Sequence, residues 1–304
     1  MSELLGRDTS VRSVSGNVMM ITDDQLFLTV WAPDRPGFTF EGNLQNIITL
    51  IKPSAEHILK TLDPFTLGKY YSIQKNIPAM KDLTEYIRVN NPTPKEVIIA
   101  HLIDGLSLFD QEDFEGALHE WNIAVLKDSA NINAFVYQGW ALENLGQFKK
   151  AVEKYKKVIS IDPNNVSAWN NWGIALYIME EFEESILKFR ELTQLAPDYS
   201  HGFNNLGVSL FELGKYEEGI EYIKKAISLD PEEAQFYESL GEGMFGMEKY
   251  QEAIGYFKQT LKYDPENADV YNLWGQSLIK LGRQEEAQEK FNKALGFGTN
   301  KLSF

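Results

Sequence analysis

The chain has 304 residues, of which 43% are hydrophobic and 24% are charged, a composition typical of folded globular proteins. It contains no cysteine, which excludes disulfides, thiol nucleophiles and cysteine-ligated metal sites. The net charge of −15 is uneven, because residues 1–97 carry 10 basic and 11 acidic side chains whereas residues 98–304 carry 19 and 33. Since an acidic surface repels phosphate backbones, we expect no nucleic-acid partner.

The sequence contains no segment that predicts export or membrane insertion. No apolar run approaches the roughly 20 residues that a membrane-spanning helix needs. The N-terminus lacks the basic segment followed by an apolar one that marks a signal peptide. Together with the absence of cysteine, these features predict a cytoplasmic protein that does not insert into a membrane.

The first 97 residues are predicted to form a small α+β region that resembles no family we recognise. Residues 17–21 and 25–31 are interpreted as a β-hairpin, and a third short strand is predicted at 38–40. Helical patterns follow at about 43–51, 54–62 and 78–89. The segment Asn91-Pro92-Thr93-Pro94 predicts a hinge or a rigid join, because proline restricts its own backbone and that of the preceding residue.

A 34-residue period runs through the rest of the chain. Two apolar stripes per period, separated by Gly146, Gly214 or Gly282 in three of them, predict two antiparallel helices per repeat. If each repeat is numbered from 1 to 34, position 8 is glycine, position 20 is a small residue and position 24 is a large apolar one. The recurring glycines are Gly105, Gly139, Gly173, Gly207, Gly241 and Gly275.

This pattern closely resembles the tetratricopeptide repeat (TPR) family over about two-thirds of the chain. The resemblance implies a mostly α fold, a right-handed α-solenoid of six helix pairs over residues 98–301, preceded by the α+β region at 1–97 and followed by a tail at 302–304. A single helix pair cannot bury its own apolar face, so neighbouring repeats must stack. The six repeats are 98–131, 132–165, 166–199, 200–233, 234–267 and 268–301.

The sequence offers little that points to catalysis. Residues 241–246 match the G-x-G-x-x-G pattern literally, but a dinucleotide site needs a preceding strand, and here the glycines lie at positions 8, 10 and 13 of a predicted helix. The four histidines do not pair at metal-ligand spacing. We therefore predict no catalytic residue, no cofactor and no metal ligand, and a protein that is not an enzyme.

The TPR resemblance implies that positions 2, 5, 6, 9, 12 and 13 of each first helix line the concave groove where ligands bind. Positions 5 and 6 carry asparagine pairs in two successive repeats, although asparagine is unfavourable inside helices. An asparagine amide offers a donor and an acceptor, which match a peptide backbone; a neutral surface role is the alternative. The predicted peptide-binding residues are Tyr137, Trp140, Asn170, Asn171, Tyr177, Asn204, Asn205, Phe211, Glu238 and Glu242.

The sequence thus predicts a scaffold or adaptor that holds an extended segment of a protein partner. Glu238 and Glu242 favour basic residues at one end of that segment. None of positions 2, 5, 6 and 9 is Lys or Arg in any repeat, which argues against the TPR subclass that clamps a C-terminal carboxylate. Two alternatives stay open: a homo-oligomeric structural protein whose groove binds a neighbouring subunit, and an enzyme or sensor whose active part lies in residues 1–97.

Overall fold

The structure is a computed structural model that describes residues 60, 63–90 and 92–297, together with the backbone of three strands between residues 15 and 43. The helix predicted at 54–62, apart from Lys60, and the tail at 302–304 lie outside the described residues. So does the helix predicted at 43–51, apart from Asn43, which ends a strand.

The three strands are β1 (Ser15–Met20), β2 (Gln25–Ala32) and β3 (Arg35–Asn43), and they form one antiparallel sheet in the order β1-β2-β3. In the register of the first pair, Met20 lies opposite Leu26. The second pair shifts register between Val30 and Ala32. These strands overlap the segments 17–21, 25–31 and 38–40 that the sequence analysis assigned to strands.

Fourteen helices follow in the described part of the chain. They are α1 (Pro64–Ile73), α2 (Ile77–Val89), α3 (Pro94–Phe109), α4 (Phe114–Lys127), α5 (Ile132–Asn144), α6 (Phe148–Ile161), α7 (Val166–Ile178), α8 (Phe182–Leu195), α9 (Ser200–Glu212), α10 (Tyr216–Leu229), α11 (Ala234–Gly246), α12 (Tyr250–Tyr263), α13 (Ala268–Lys280) and α14 (Gln284–Phe297). Helix α2 confirms the prediction at 78–89, whereas α1 was not predicted.

Helices α3 to α14 form six tandem helix pairs in the predicted repeat register. In repeats 2 to 6 the first helix spans positions 1 to 13, and in all six repeats the second helix spans positions 17 to 30. Helix α3 starts earlier, at Pro94, because Thr93 caps it: the Thr93 hydroxyl accepts from the Glu96 N–H and the Glu96 carboxylate accepts from the Thr93 N–H. This reciprocal cap makes the proline-rich segment a helix start. The division of the chain at 97/98 stays a prediction.

The turn between the two helices of each repeat needs a left-handed residue at position 15. Gly146, Gly214 and Gly282 supply it at φ values of 70°, 69° and 77°, where glycine has no steric cost. The other three repeats hold the same conformation with a glutamate instead. These are Glu112, Glu180 and Glu248, at φ values of 63°, 60° and 60°.

The periodic glycine at position 8 faces the large side chain at position 24 of its own repeat. In five of the six repeats, a Cβ on this glycine would stand within 2.6 Å of that side chain, so glycine lets the two helices approach this closely. The pairs are Gly105 with Trp121, Gly173 with Phe189, Gly207 with Ile223, Gly241 with Phe257 and Gly275 with Phe291. Trp121, Phe189 and Phe257 are almost fully buried.

The chain divides into two compact units, Met1–Leu145 and Gly146–Phe304. The N-terminal unit has a core built around Leu67, Met80 and Trp121. In the C-terminal unit, the first helices of repeats 3 to 6 contact one another in sequence. The residues at positions 5, 6, 9, 12 and 13 of these helices are called the first-helix face below.

Candidate binding face of the C-terminal unit

Three asparagines of the first-helix face form a hydrogen-bonded chain across two repeats. The Asn205 amide Nδ2 donates to Asn170 Oδ1 at 3.0 Å, and the Asn170 Nδ2 donates to Asn171 Oδ1 at 3.4 Å. Asn170 itself is 9% exposed, so it connects helices α7 and α9 from beneath the surface. The structure therefore brings Asn170, Asn171 and Asn205 together.

This chain leaves one donor and one acceptor on half-buried side chains. Asn171 uses its carbonyl oxygen, so its amide Nδ2 remains, and Asn205 uses its amide, so its carbonyl Oδ1 remains. A peptide unit presents one N–H and one C=O, which is the complementary set. The two open groups belong to adjacent repeats, as rungs of a ladder would.

Besides Asn170, two more of the predicted site residues lie inside the protein. Asn204 is 1% exposed and its Oδ1 has no hydrogen-bond partner in the structure. Tyr137, in the N-terminal unit, is 6% exposed and its ring lies 5.0 Å from that of Trp140. Trp140 is half-buried. Direct contact with a ligand is open to Trp140 but not, in this structure, to Asn204 or Tyr137.

The two predicted aromatic residues of the C-terminal unit have different surroundings. The Tyr177 hydroxyl donates to Glu212 Oε1 at 2.8 Å, which links repeats 3 and 4 across the face. Burial and this carboxylate raise the pKa of Tyr177. Phe211 instead packs its ring between Gly219 and Gly243, with Tyr216 at 5.7 Å. Phe211 therefore contributes mainly to the contact between repeats 4 and 5.

Carboxylates collect at one end of the face. Burial raises the pKa of Glu238, although its Oε2 accepts from Asn267 at 3.3 Å. Glu242 is solvent-exposed, yet the protein around it excludes enough water to raise its pKa. The negative charges of Glu238, Glu212 and Asp269 raise it further, and the pKa of Glu242 reaches about 7. Glu238, Glu212 and Asp269 therefore lie close enough to Glu242 for their charges to act on it.

Sequence reasoning missed a second repeated feature, in which a tryptophan at position 7 lies between two lysines. Lys156 and Lys188 approach the Trp172 ring at 5.5 and 4.4 Å from its centroid. Lys258 and Lys290 approach the Trp274 ring at 5.4 and 4.5 Å. The lysines come from position 25 of the preceding repeat and position 23 of the same repeat, so each pair joins two repeats through cation–π contacts. The fixed spacing of these lysines from the tryptophan is the sequence signal that could have revealed this feature.

In the part of the chain that the structure describes, no group of three or more His, Asp or Glu residues is arranged to hold a metal ion. Among the same residues, no helix combines the length and the apolar character that a membrane span needs.

Comparisons with known proteins identify the repeats. Residues 139–179 match a model described as TPR repeat, and residues 202–233 and 244–297 each match a model described as tetratricopeptide repeat. A comparison with curated proteins found no match.

Solved structures share the fold. The chain is similar to PilF of Pseudomonas aeruginosa, with a TM-score of 0.57, 21% identity, and coverage of 69% of this chain and 95% of that one. It is also similar to TTC0263 of Thermus thermophilus, described as a thermophilic TPR protein, with a TM-score of 0.51, 18% identity, and coverage of 60% and 99%. A double mutant of MamA from strain RS-1 has a TM-score of 0.50, 22% identity, and coverage of 55% and 94%. At these identities the likeness establishes the fold.

Proposed function

Since residues 139–297 belong to the tetratricopeptide-repeat family, we propose that the chain is a non-enzymatic scaffold or adaptor that binds an extended segment of a protein partner. The first-helix face of the C-terminal unit is the binding surface. Stacked helix pairs present such a continuous face without any catalytic group.

The observation that carries this proposal is the donor and acceptor left open by the asparagine chain. Asn171 offers its amide and Asn205 its carbonyl, on neighbouring rungs of the face. Asn170 orients both side chains from below, so little conformational freedom is lost when a peptide unit binds. Asn170 supports the ladder from below, whereas Asn171 and Asn205 make the contacts.

The partner segment carries a basic residue at its end over repeats 4 to 6. The negative charges of Glu212, Glu238 and Asp269 raise the pKa of Glu242 there, and a Lys or Arg side chain would relieve that repulsion. The Tyr177 hydroxyl donates a hydrogen bond to Glu212 and so fixes the position of that carboxylate. Tyr177 thereby connects the part of the face that carries the asparagines with the part that carries the glutamates. The ligand is therefore an extended segment with an ordinary backbone in the middle and positive charge at one end.

Selection from a random 12-residue peptide library against the full chain tests the proposal. Replacing both Asn171 and Asn205 by Ala removes two hydrogen bonds worth about 1 kcal/mol each, so the selected peptides should bind roughly 30-fold more weakly, because each 1.4 kcal/mol is a factor of ten. The control is Asn292→Ala, on the exposed surface of α14. Equal affinity of the double variant and the control, with both folded, would contradict the ladder.

A further inference from the structure

Helix α6, the second helix of repeat 2, carries far more positive charge than its counterparts in the other repeats. It contains five lysines and one glutamate, which give it a net charge of +4. The second helices of the other five repeats, α4, α8, α10, α12 and α14, each have a net charge of −1 or +1. The chain as a whole has a net charge of −15, so α6 is a basic element in an acidic protein.

The charged residues of α6 share one side of the helix. At 3.6 residues per turn they fall within an arc of about 160°, and they cover about 12 Å along the helix axis. The buried residues occupy the opposite side and are Ala151, Val152, Tyr155 and Val158. The α6 lysine face consists of Lys149, Lys150, Lys156 and Lys157, which are exposed, and of Lys154, which is half-buried.

The carboxylates of the protein leave most of this charge unpaired. Lys156 pairs with Glu153 at 3.0 Å, within α6 itself. In the part of the chain that the structure describes, Lys149, Lys150 and Lys157 form no ion pair. Because like charges three or four residues apart destabilise a helix, the α6 lysine face is held together at a cost in stability.

The other repeats show that the fold favours the opposite charge at two of these positions. Lys149 and Lys150 lie at positions 18 and 19, in the first turn of the second helix. In each of the other five repeats this turn contains at least one glutamate, whereas in α6 it contains no acidic residue. Negative charge is favourable at the N-terminal end of a helix and positive charge is not. A residue that opposes a local preference without a compensating contact points to function.

The positive surface continues from α6 to the next repeat through the ring of Trp172. Lys156 lies 5.5 Å from the centroid of this ring, and Lys188 of α8 lies 4.4 Å from it. A cation–π contact involves the face of the ring and no hydrogen-bond acceptor. The ammonium group of Lys188 therefore keeps its N–H donors for a carboxylate.

We propose that the α6 lysine face is a second docking surface of the C-terminal unit, and that it binds a short acidic segment of a partner protein. The carboxylates of that segment pair with the exposed lysines. An extended chain advances about 3.3 Å per residue, so roughly four residues cover the face. The lysines lie on a second helix, outside the first-helix face, and the inference does not rest on the proposed function.

The charge of the rest of the protein favours a short segment over a long polyanion. Outside α6 the chain carries 24 basic and 43 acidic side chains. A nucleic acid or an anionic membrane surface would extend beyond the α6 lysine face and would be repelled by this net negative charge. A segment of a few acidic residues meets the lysines alone.

Reversing the charges of Lys149 and Lys150 in the full chain tests the proposal. The double variant Lys149→Glu, Lys150→Glu gives α6 the charge that the other repeats carry in this turn. Its melting temperature should therefore equal or exceed that of the wild type. The control is Lys224→Glu, Lys225→Glu, which changes the net charge by the same amount at exposed residues of α10. The probe is a fluorescent hexaglutamate peptide, and a 12-nucleotide single-stranded DNA is compared with it.

We expect hexaglutamate to bind the wild type with an affinity that falls as salt is added, since salt screens exposed charges. It should bind the Lys149 and Lys150 variant at least tenfold more weakly, and the control variant within twofold of the wild type. The light-scattering mass of the wild type should not depend on concentration.

Four results would overturn the proposal. Absence of hexaglutamate binding at low salt would remove the docking surface, and equal weakening in both variants would leave only an effect of net charge. A lower melting temperature of the Lys149 and Lys150 variant would assign these lysines to the fold. Tighter binding of the DNA, or a wild-type dimer that this variant abolishes, would make the occupant a nucleic acid or a second copy of the chain. Neither variant alters the first-helix face, so the proposed function is tested separately.

Discussion

The aromatic ring of Phe211 lies so close to Gly243 that a Cβ on this glycine would stand 2.5 Å from Phe211 Cε2. The same segment of α11 brings Gly241 against Phe257 and Gly246 against Tyr216. Each glycine of the G-x-G-x-x-G segment thus faces one aromatic ring, from its own repeat or the preceding one. The glycine spacing that resembles a nucleotide-binding motif therefore serves the packing of this helix against aromatic rings.

Replacing Gly243 by Ala should therefore destabilise the protein, because the methyl group overlaps the Phe211 ring. Overpacking of this kind costs about 1–3 kcal/mol, which exceeds the roughly 1 kcal/mol that Ala gains over Gly in a helix. The matched control is Gly255→Ala in α12, where an added Cβ meets nothing within 4 Å. Urea unfolding should give a lower midpoint for Gly243→Ala and a higher one for Gly255→Ala. A higher midpoint for both would show that the ring moves aside without cost.

The repeat period made most of the helix packing within the repeats predictable from the sequence. In each 34-residue period, a glycine stands 16 residues before a large side chain, and this spacing predicts a close approach of the two helices. The pairs Gly173–Phe189 and Gly241–Phe257 show that approach. The helix limits in repeats 2 to 6 followed from the same register.

Features outside the period were less accessible to sequence reasoning. Helix α1 lies before the predicted repeats and has only ten residues, so its apolar pattern was too short to recognise. The burial of Asn204 and Tyr137 depends on neighbouring repeats and on α1, and positions in one repeat do not reveal that. The role of Glu212 was missed because its partner Tyr177 lies 35 residues earlier, one residue out of register.

The glutamates at position 15 hold a strained, left-handed backbone conformation that glycine would adopt without strain. Glu180 has a φ of 60°, a conformation that costs a residue with a Cβ roughly 1–2 kcal/mol. Part of the gain from glycine is offset by its greater freedom in the unfolded chain. Glu180→Gly should therefore stabilise the protein by about 0.5–1 kcal/mol, seen as a higher melting temperature.

Glu183→Gly is the control for that substitution, because Glu183 lies in the first turn of α8. There glycine should cost about 1 kcal/mol in helix propensity. If both variants melted below the wild type, the strain assigned to position 15 would not exist.

Reversing a charge at the acidic end of the face should reverse its preference for partner segments. Glu242→Lys removes one negative charge and places a positive one beside Glu238, Glu212 and Asp269, the carboxylates that act on Glu242. Peptides selected on the wild type for a basic end should bind this variant at least tenfold more weakly at low salt. They should bind normally to Glu191→Lys, an exposed residue of α8. Equal weakening by both variants would indicate a general effect of net charge.

The final prediction concerns the pH dependence of stability. The pKa of Glu242 is about 7 in the folded protein, against an ordinary value of 4.5, and the pKa of Glu238 is raised as well. A raised carboxyl pKa means that the folded state binds a proton that the unfolded chain does not bind between about pH 7 and 4.5. Linkage then requires the free energy of unfolding to rise as the pH falls through this window. Because Glu242 is solvent-exposed, screening limits the gain to on the order of 1 kcal/mol or less.

Glu242→Gln should abolish most of that gain, because glutamine stays neutral at every pH, and should make the protein more stable than the wild type at pH 8. Carboxylates with lowered pKa values do not mask this effect. Hydrogen bonds from the Thr93 N–H and hydroxyl lower the pKa of Glu96 from 4.5, so its contribution is lost only below that pH. Urea unfolding at pH 8, 7, 6 and 5 is compared for the wild type, Glu242→Gln and the control Glu191→Gln. A wild-type stability that falls steadily from pH 8 to pH 5, or an unchanged slope in Glu242→Gln, would contradict the assignment of the proton to this carboxylate cluster.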